Sequence, residues 1–306
     1  MKKIIYLLLL FSFIGCSNKT VPPKPLNTTN SNLLKNEPVK ILKTSEGKNN
    51  TEYEKCNDEK MKLRQYILDD MGLSKPVSLR EISDRLTAEE RKKITSICIY
   101  NGENITRLVG IELFPSLESL DIYNTKIKNI NDIQRKYLNI KSLFIESNEM
   151  EDISNLIFFE NLVTLYITGS EKLKYFPDIT NLKKLRSLSL EKCKDININN
   201  MAEKLPSGIQ KIGLNNCNIK SLNDITNIFK INIKRFDLQS NLIKEINFNM
   251  DYGAAAYVYM AGCPVCEKYF SWDKSGSEEY PGYVRNEKGV LFDFGPFQDE
   301  GWVIEE

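Results

Sequence analysis

Cys263 and Cys266, in Cys263-Pro264-Val265-Cys266, are spaced as a reactive dithiol would be. Such a pair exchanges with a disulfide when one thiol is held as the thiolate, which a helix N-terminus or a neighbouring cation achieves. The same pair supplies two of the four ligands that a structural zinc takes. The chain has no histidine and no second C-x-x-C, so a zinc site is poorly served. The absence of histidine also removes the commonest general base and the usual physiological pH switch. No βαβ pattern surrounds the two cysteines, and the sequence contains neither a Gly-rich phosphate loop nor a nucleophile elbow. Carboxylate pairs such as Asp69-Asp70 read as solvated helix charges. The sequence therefore assigns no catalytic residue, metal or cofactor. Thiol-disulfide exchange by Cys263 and Cys266 is kept as the enzymatic rival to a structural pair, for instance a disulfide.

The elements around this pair repeat. Ile140-Lys-Ser-Leu143-Phe-Ile145-Glu-Ser-Asn148-Glu-Met150 aligns with Ile233-Lys-Arg-Phe236-Asp-Leu238-Gln-Ser-Asn241-Leu-Ile243, both reading L-x-x-L-x-L-x-x-N-x-L. Further copies open at Ile94, Leu117, Leu162, Leu185 and Ile209, and a degenerate eighth opens at Ala255, with successive starts 22 to 24 residues apart. The fourth and sixth places are apolar and alternate with polar neighbours, as a strand with one buried face requires. A strand this short cannot cover its own apolar face, so consecutive copies must stack. The ninth place holds Thr125, Asn148, Ser170, Cys193, Cys217, Asn241 and Cys263, small residues expected to turn inward and satisfy backbone left unpaired at the strand end. Cys263 thus has a place in the architecture before any chemistry is considered.

These residues resemble the leucine-rich-repeat family over about half of the chain, and 105–130 is similar to the internalin-like bacterial branch. The first copy departs from the pattern, with Gly102 at the ninth place and Ile105 one residue late. The resemblance implies an α/β fold: a curved right-handed solenoid with a parallel concave sheet, a helical N-terminal cap and, here, an irregular aromatic-rich C-terminal cap. It also implies a binding role toward other proteins. The expected organisation is a signal peptide over 1–15, a lipidated Cys16 and disordered tether over 16–50, a helical cap over 51–93, repeats over 94–265 and a C-terminal cap over 266–306.

If the fourth and sixth places point inward, the third, fifth, seventh and eighth face outward on the concave sheet. Tyr100, Tyr123, Phe144 and Tyr166 then fall on neighbouring strands about 4.8 Å apart, with Asp121 and Glu146 beside them. Outward aromatics clustered on a sheet suggest a contact patch, because large aromatics are enriched at binding hot spots. The alternative is that cross-strand aromatic pairs simply stabilise the sheet. The candidate partner-binding residues are Tyr100, Asp121, Tyr123, Phe144, Glu146 and Tyr166.

The chain ends frame this array. Lys2 and Lys3 precede an apolar run from Ile4 to Ile14, too short at about 1.5 Å per residue to cross a bilayer core of about 30 Å. This is a signal-peptide pattern. Phe13-Ile14-Gly15-Cys16 resembles the lipobox of bacterial lipoproteins, which implies lipidation of Cys16, and Ser17 resembles the Gram-negative sorting pattern for the outer membrane. Residues 17–50 are polar, with Pro22, Pro23, Pro25 and Pro38, a composition too poor in apolar surface to fold alone. From Glu52 the sequence reads helical. Met61, Leu63, Tyr66, Ile67 and Met71 form a stripe ending at Gly72, and Thr87-x-x-Glu90 forms a capping box. Cys56 and Cys98 are a candidate staple between cap and array. At the other end, Tyr283 to Phe292 reads as a hairpin turning near Asn286 to Gly289.

The 306 residues are 41% apolar and carry a formal net charge of +1, enough for a sizeable core and without the basic footprint of a nucleic-acid binder. The expected function is a membrane-anchored repeat protein that binds a protein partner. Adhesion to a host surface, interaction within the envelope and inhibition of an exported enzyme are its candidate settings. Nothing in the sequence specifies an oligomeric state.

Overall fold

Branched apolar residues at the fourth and sixth places favour an extended backbone, and each coil contributes one short strand. The computed structural model describes residues 54–56, 60–133, 139–268 and 283–294. The leader, Cys16, the tether and most of the C-terminal aromatic stretch lie outside the described residues.

The strands are β1 (Glu54–Cys56), β2 (Lys60–Arg64), β3 (Ile94–Ile99), β4 (Ser119–Thr125), β5 (Ser142–Ser147) and β6 (Thr164–Thr168). They continue as β7 (Ser187–Glu191), β8 (Lys211–Asn215), β9 (Arg235–Asp237), β10 (Tyr257–Tyr259), β11 (Tyr283–Arg285) and β12 (Leu291–Asp293). Among the described residues these twelve form one sheet, in chain order from β1 to β10 and then β12 and β11. Neighbours from β2 to β10 are parallel, as is the pair β10 and β12; only the outermost pair at each end is antiparallel. Leu120, Leu143, Leu165, Leu188, Ile212 and Phe236 pair in register from strand to strand. A long, mostly parallel sheet with one strand per coil fits a leucine-rich-repeat solenoid.

The inward residues of all these coils join one apolar cluster. At roughly 1.5 to 3 kcal/mol for each fully buried aliphatic side chain, this shared interior is what makes stacking favourable. The degenerate eighth coil is part of it, with Ala255, Val258, Met260, Cys263 and Val265 all buried. Beyond it, Tyr252 packs edge-on against Phe229 at 5.1 Å and against Phe292 at 5.0 Å. The expected hairpin is β11 and β12; it turns through Asn286 to Gly289, where Gly289 takes φ +84°.

The chain must leave each strand without stranding backbone groups. Asn124, Gly169, Lys192, Asn216, Ser240 and Gly262, each at an eighth place, do this by adopting φ between 53° and 80°. This left-handed step swings the ninth side chain inward, and Thr125, Ser170, Cys193, Cys217, Asn241 and Cys263 are all buried. Asn241 shows the use of that position. Its Oδ1 accepts from the Cys217 and Ile219 amides at 2.9 and 3.1 Å, and its Nδ2 donates to the Leu214 and Leu238 carbonyls at 2.7 and 2.9 Å.

The third coil corrects two expectations, that Asn148 at the ninth place turns inward and that Ser147 at the eighth faces outward. Ser147, at its eighth place, is not among the positive-φ residues, so β5 keeps its alternation one residue longer. Ser147 therefore points inward with Leu143 and Ile145. It is 1% exposed and donates to the Ile127 carbonyl at 2.7 Å, while Asn148 is exposed.

The segment before the array is a second correction, because it is not wholly helical. Met61 and Leu63 lie in β2, which pairs in parallel with β3, so the parallel part of the sheet begins one strand before the first repeat. An apolar stripe this short fits a strand and a helix equally well until a neighbouring strand is present. Helices follow at α1 (Gln65–Asp70), α2 (Leu79–Asp84) and α3 (Ala88–Lys93). Gly72, at φ +75°, ends the first, as the stripe predicts. The capping box is formed: Thr87 Oγ1 accepts from the Glu90 amide at 3.2 Å, and the Glu90 carboxylate accepts from the Thr87 amide at 2.7 Å.

Candidate functional site

Strand parity places the fifth and seventh residues of each coil on the outer face of the sheet, and there the predicted aromatics meet. Tyr100 and Tyr123 lie 5.1 Å apart between ring centroids, Tyr123 and Phe144 4.2 Å, and Phe144 and Tyr166 4.6 Å. The last two planes are only 11° apart. Rings that stack on one another across strands stand upright on the sheet, with their faces covered by neighbours and their edges toward solvent.

The stack steps sideways between β4 and β5, from the seventh place at Tyr123 to the fifth at Phe144. Asp121 pairs in register with Phe144, so Asp121, Tyr123, Phe144 and Glu146 form a two-by-two block with rings on one diagonal and carboxylates on the other. Burial between the rings and β3 pushes the Asp121 carboxyl up to about 6, against the weaker opposing pull of a Ser119 hydrogen bond and the Arg64 charge. The Glu146 carboxylate accepts from the Asn124 amide at 3.3 Å.

Not every outward residue is accessible. Tyr100 is 39% exposed, whereas Tyr166 is 8% exposed, because it leans on Phe144 and its hydroxyl reaches the Glu191 carboxylate on the next strand. Burial and the adjacent Glu191 charge raise the Tyr166 hydroxyl well above the usual phenol range. This corrects the expectation that all four rings face solvent freely. Further along the fifth-place row Cys98, Ser189, Asp237 and Tyr259 are also buried.

No family model matches this chain, and no curated protein does. A solved structure does resemble it. Internalin C2 of Listeria monocytogenes is superposed with a TM-score of 0.37 and 15% identity, over 61% of this chain and 93% of that one. The leucine-rich-repeat reading rests on this chain's own strand order and register.

Sequence reasoning missed a second cluster on the same face. Arg235 lies 4.8 Å over the Tyr257 ring and donates to Asp237 at 3.1 Å, and the Tyr257 hydroxyl donates to Asp293. Desolvation raises the Asp237 carboxyl despite the Arg235 charge. Its signal was available at the third place of each coil, where Lys211, Arg235 and Tyr257 follow a run of hydroxyl residues. The missing information was the β10–β12 pairing that brings Asp293 alongside.

The dithiol is not a redox centre in this geometry. Cys263 and Cys266 are separate buried thiols, which corrects the candidate disulfide between them. The Cys263 Sγ donates to the Leu238 carbonyl at 3.2 Å and the Cys266 Sγ to the Met260 carbonyl at 2.8 Å. Burial pushes the Cys263 thiol up to about 12 and raises that of Cys266, opposite to the shift a nucleophilic thiolate needs. The Cys56–Cys98 staple is also opposed by register. Cys56 lies opposite Lys60, and Cys98 lies opposite Arg64 at the other end of β2. Four residues at about 3.3 Å each, plus two strand spacings, put the pair well beyond the reach of roughly 7 Å between Cα atoms that a disulfide spans. The Cys56 side chain lies outside the described residues. Among the described residues, no group of three His, Cys, Asp or Glu side chains is placed to hold a metal.

Proposed function

We propose that this protein is a non-enzymatic binding module that docks a protein partner on the aromatic block of its sheet, centred on Tyr100, Tyr123 and Phe144. The observation that carries the reading is the continuous ring stack on the outer face of the sheet, with carboxylates at its side. Each additional ring excludes water from its neighbours, which gives a contact patch its affinity. Tyr100 is the most exposed of the four rings at 39%, more open than a ring that serves sheet stability alone needs to be. The coil is taken as right-handed on the general chirality of parallel crossovers, with the docking face on its concave side.

The proposal extends to location. Cys16, in Phe13-Ile14-Gly15-Cys16, carries the lipid of an envelope-anchored protein at the outer membrane, and the polar stretch after it is the tether. Among the described residues no helix is long and apolar enough to cross a membrane. Host surfaces, envelope proteins and exported enzymes that the module inhibits are the settings such a tethered module fits, and they differ only in the partner.

The experiment is a pull-down from envelope and host-cell extracts with the purified chain and its Tyr100→Ala/Tyr123→Ala variant. The reading expects a partner retained by the parent chain and lost from a variant whose melting curve is unchanged. Recovery of the same proteins by both would overturn it. Labelling with an alkyne fatty acid, present on the parent chain and absent from Cys16→Ser, tests the anchor; equal labelling would remove it.

A further inference from the structure

Several ion pairs run from one coil to the next. Lys141 reaches Glu118 at 3.1 Å, Lys172 reaches Glu149 at 2.6 Å and Lys194 reaches Glu171 at 2.6 Å. The cationic member in each case stands on the coil after its acidic partner. On the sheet face, Glu191 has Lys192 at 3.6 Å and Asp237 has Arg235 at 3.1 Å.

Asp121 and Glu146, which flank the rings, take no part in these pairs. Among the described residues neither has a lysine or arginine within the 4.0 Å of an ion pair, although each stands on a strand flanked by cation-bearing coils. The Arg64 charge reaches Asp121 as a pull weaker than its desolvation, and Lys192 is set against Glu191. Both unpaired carboxylates occupy corners of the block whose other corners are Tyr123 and Phe144. The rings there present edges rather than faces, so they suit an apolar side chain laid across them and offer little face to a cation or a sugar.

From this pairing deficit we infer that the occupant of the aromatic block is a basic protein segment, in which lysine or arginine flanks an apolar side chain. The apolar group covers the edges of Tyr123 and Phe144, and the two cations reach Asp121 and Glu146 on either side. A charge left without a partner beside apolar surface is expensive to desolvate alone, so a neutral or acidic segment on this block leaves two carboxylates buried and uncompensated. A basic segment removes that cost and discriminates by it. This inference rests on the docking role of the aromatic block.

The test uses the full chain and two synthetic peptides of equal length and identical apolar content, one with Lys-Trp-Lys at its centre and one with Glu-Trp-Glu. Fluorescence anisotropy is read at low and at high salt. The basic peptide is expected to bind at least about tenfold more tightly than the acidic one, with an advantage that shrinks as salt rises. In Asp121→Asn/Glu146→Gln that advantage falls to near parity while circular dichroism is unchanged. Equal binding of the two peptides, or no binding of the basic one, overturns the inference. If the two bind equally and Tyr123→Ala weakens both, the docking role stands and only the basic occupant is lost. If Tyr123→Ala changes neither, the docking role fails with it.

Discussion

Phe144 and Tyr166 stack with planes 11° apart and centroids 4.6 Å apart, and the Tyr166 hydroxyl then bonds to Glu191 one strand further on. The contact spans three coils, so the aromatic row serves both as surface and as a brace between repeats. The two roles separate by position. Tyr166→Ala removes a nearly buried ring and is expected to destabilise the protein by roughly 2 to 4 kcal/mol. Tyr100→Ala exposes little new surface and should stay within about 1 kcal/mol. Chemical denaturation of the two variants measures this, and equal losses would show that the row is only a brace.

The third coil offers a sharper comparison. Ser147→Ala leaves the Ile127 carbonyl without its donor and should cost about 1 to 2 kcal/mol. Asn148→Ala changes an exposed residue and should fall within about 0.5 kcal/mol. The reverse order in urea titrations would restore Asn148 to the ladder.

Asn241 ties its coil to the one before it through hydrogen bonds from both polar atoms of its side chain. Its replacement by alanine leaves several buried backbone groups unsatisfied, for an expected loss of roughly 3 kcal/mol. Hydrogen exchange should show the loosening around Leu214 and Leu238 first; uniform loss across the array would argue against a local role.

Asp121 gives a pH dependence of definite sign. Its folded-state carboxyl sits at about 6, above the ordinary 3.8. An unfolded chain therefore gives up this proton at lower pH than the folded one does. The carboxyl favours the folded state below about pH 4, and that contribution fades as pH rises through about 6, a difference of up to about 3 kcal/mol. Asp121→Asn should be more stable than the parent at pH 7 and should lose that advantage near pH 4. Parallel stability curves from pH 4 to 7 would contradict the shift.

Cys263 and Cys266 are expected to resist alkylation in the folded protein and to react together once it unfolds, because both are buried with raised thiols. Mass spectrometry after iodoacetamide at increasing urea follows this. Rapid native labelling of Cys266 alone would reopen the redox alternative.

The period of 22 to 24 residues, the inward fourth and sixth places and the neighbourhood of Tyr100, Tyr123, Phe144 and Tyr166 were legible in the sequence. They follow from the two-residue alternation of a strand and from repetition, both local properties of the chain. The tertiary structure alone decided what depends on neighbours: the backbone turn that chose Ser147 over Asn148, the pairing with β3 that makes Met61 and Leu63 a strand, and the depth to which Tyr166 sinks against Phe144. It also decided that Cys263 and Cys266 face backbone carbonyls instead of each other, and that Asp121 and Glu146 stand beside the rings without an ion-pair partner among the described residues. Parity specifies which side of the sheet a residue occupies. Only the packing of adjacent coils specifies how far it is covered and what it meets.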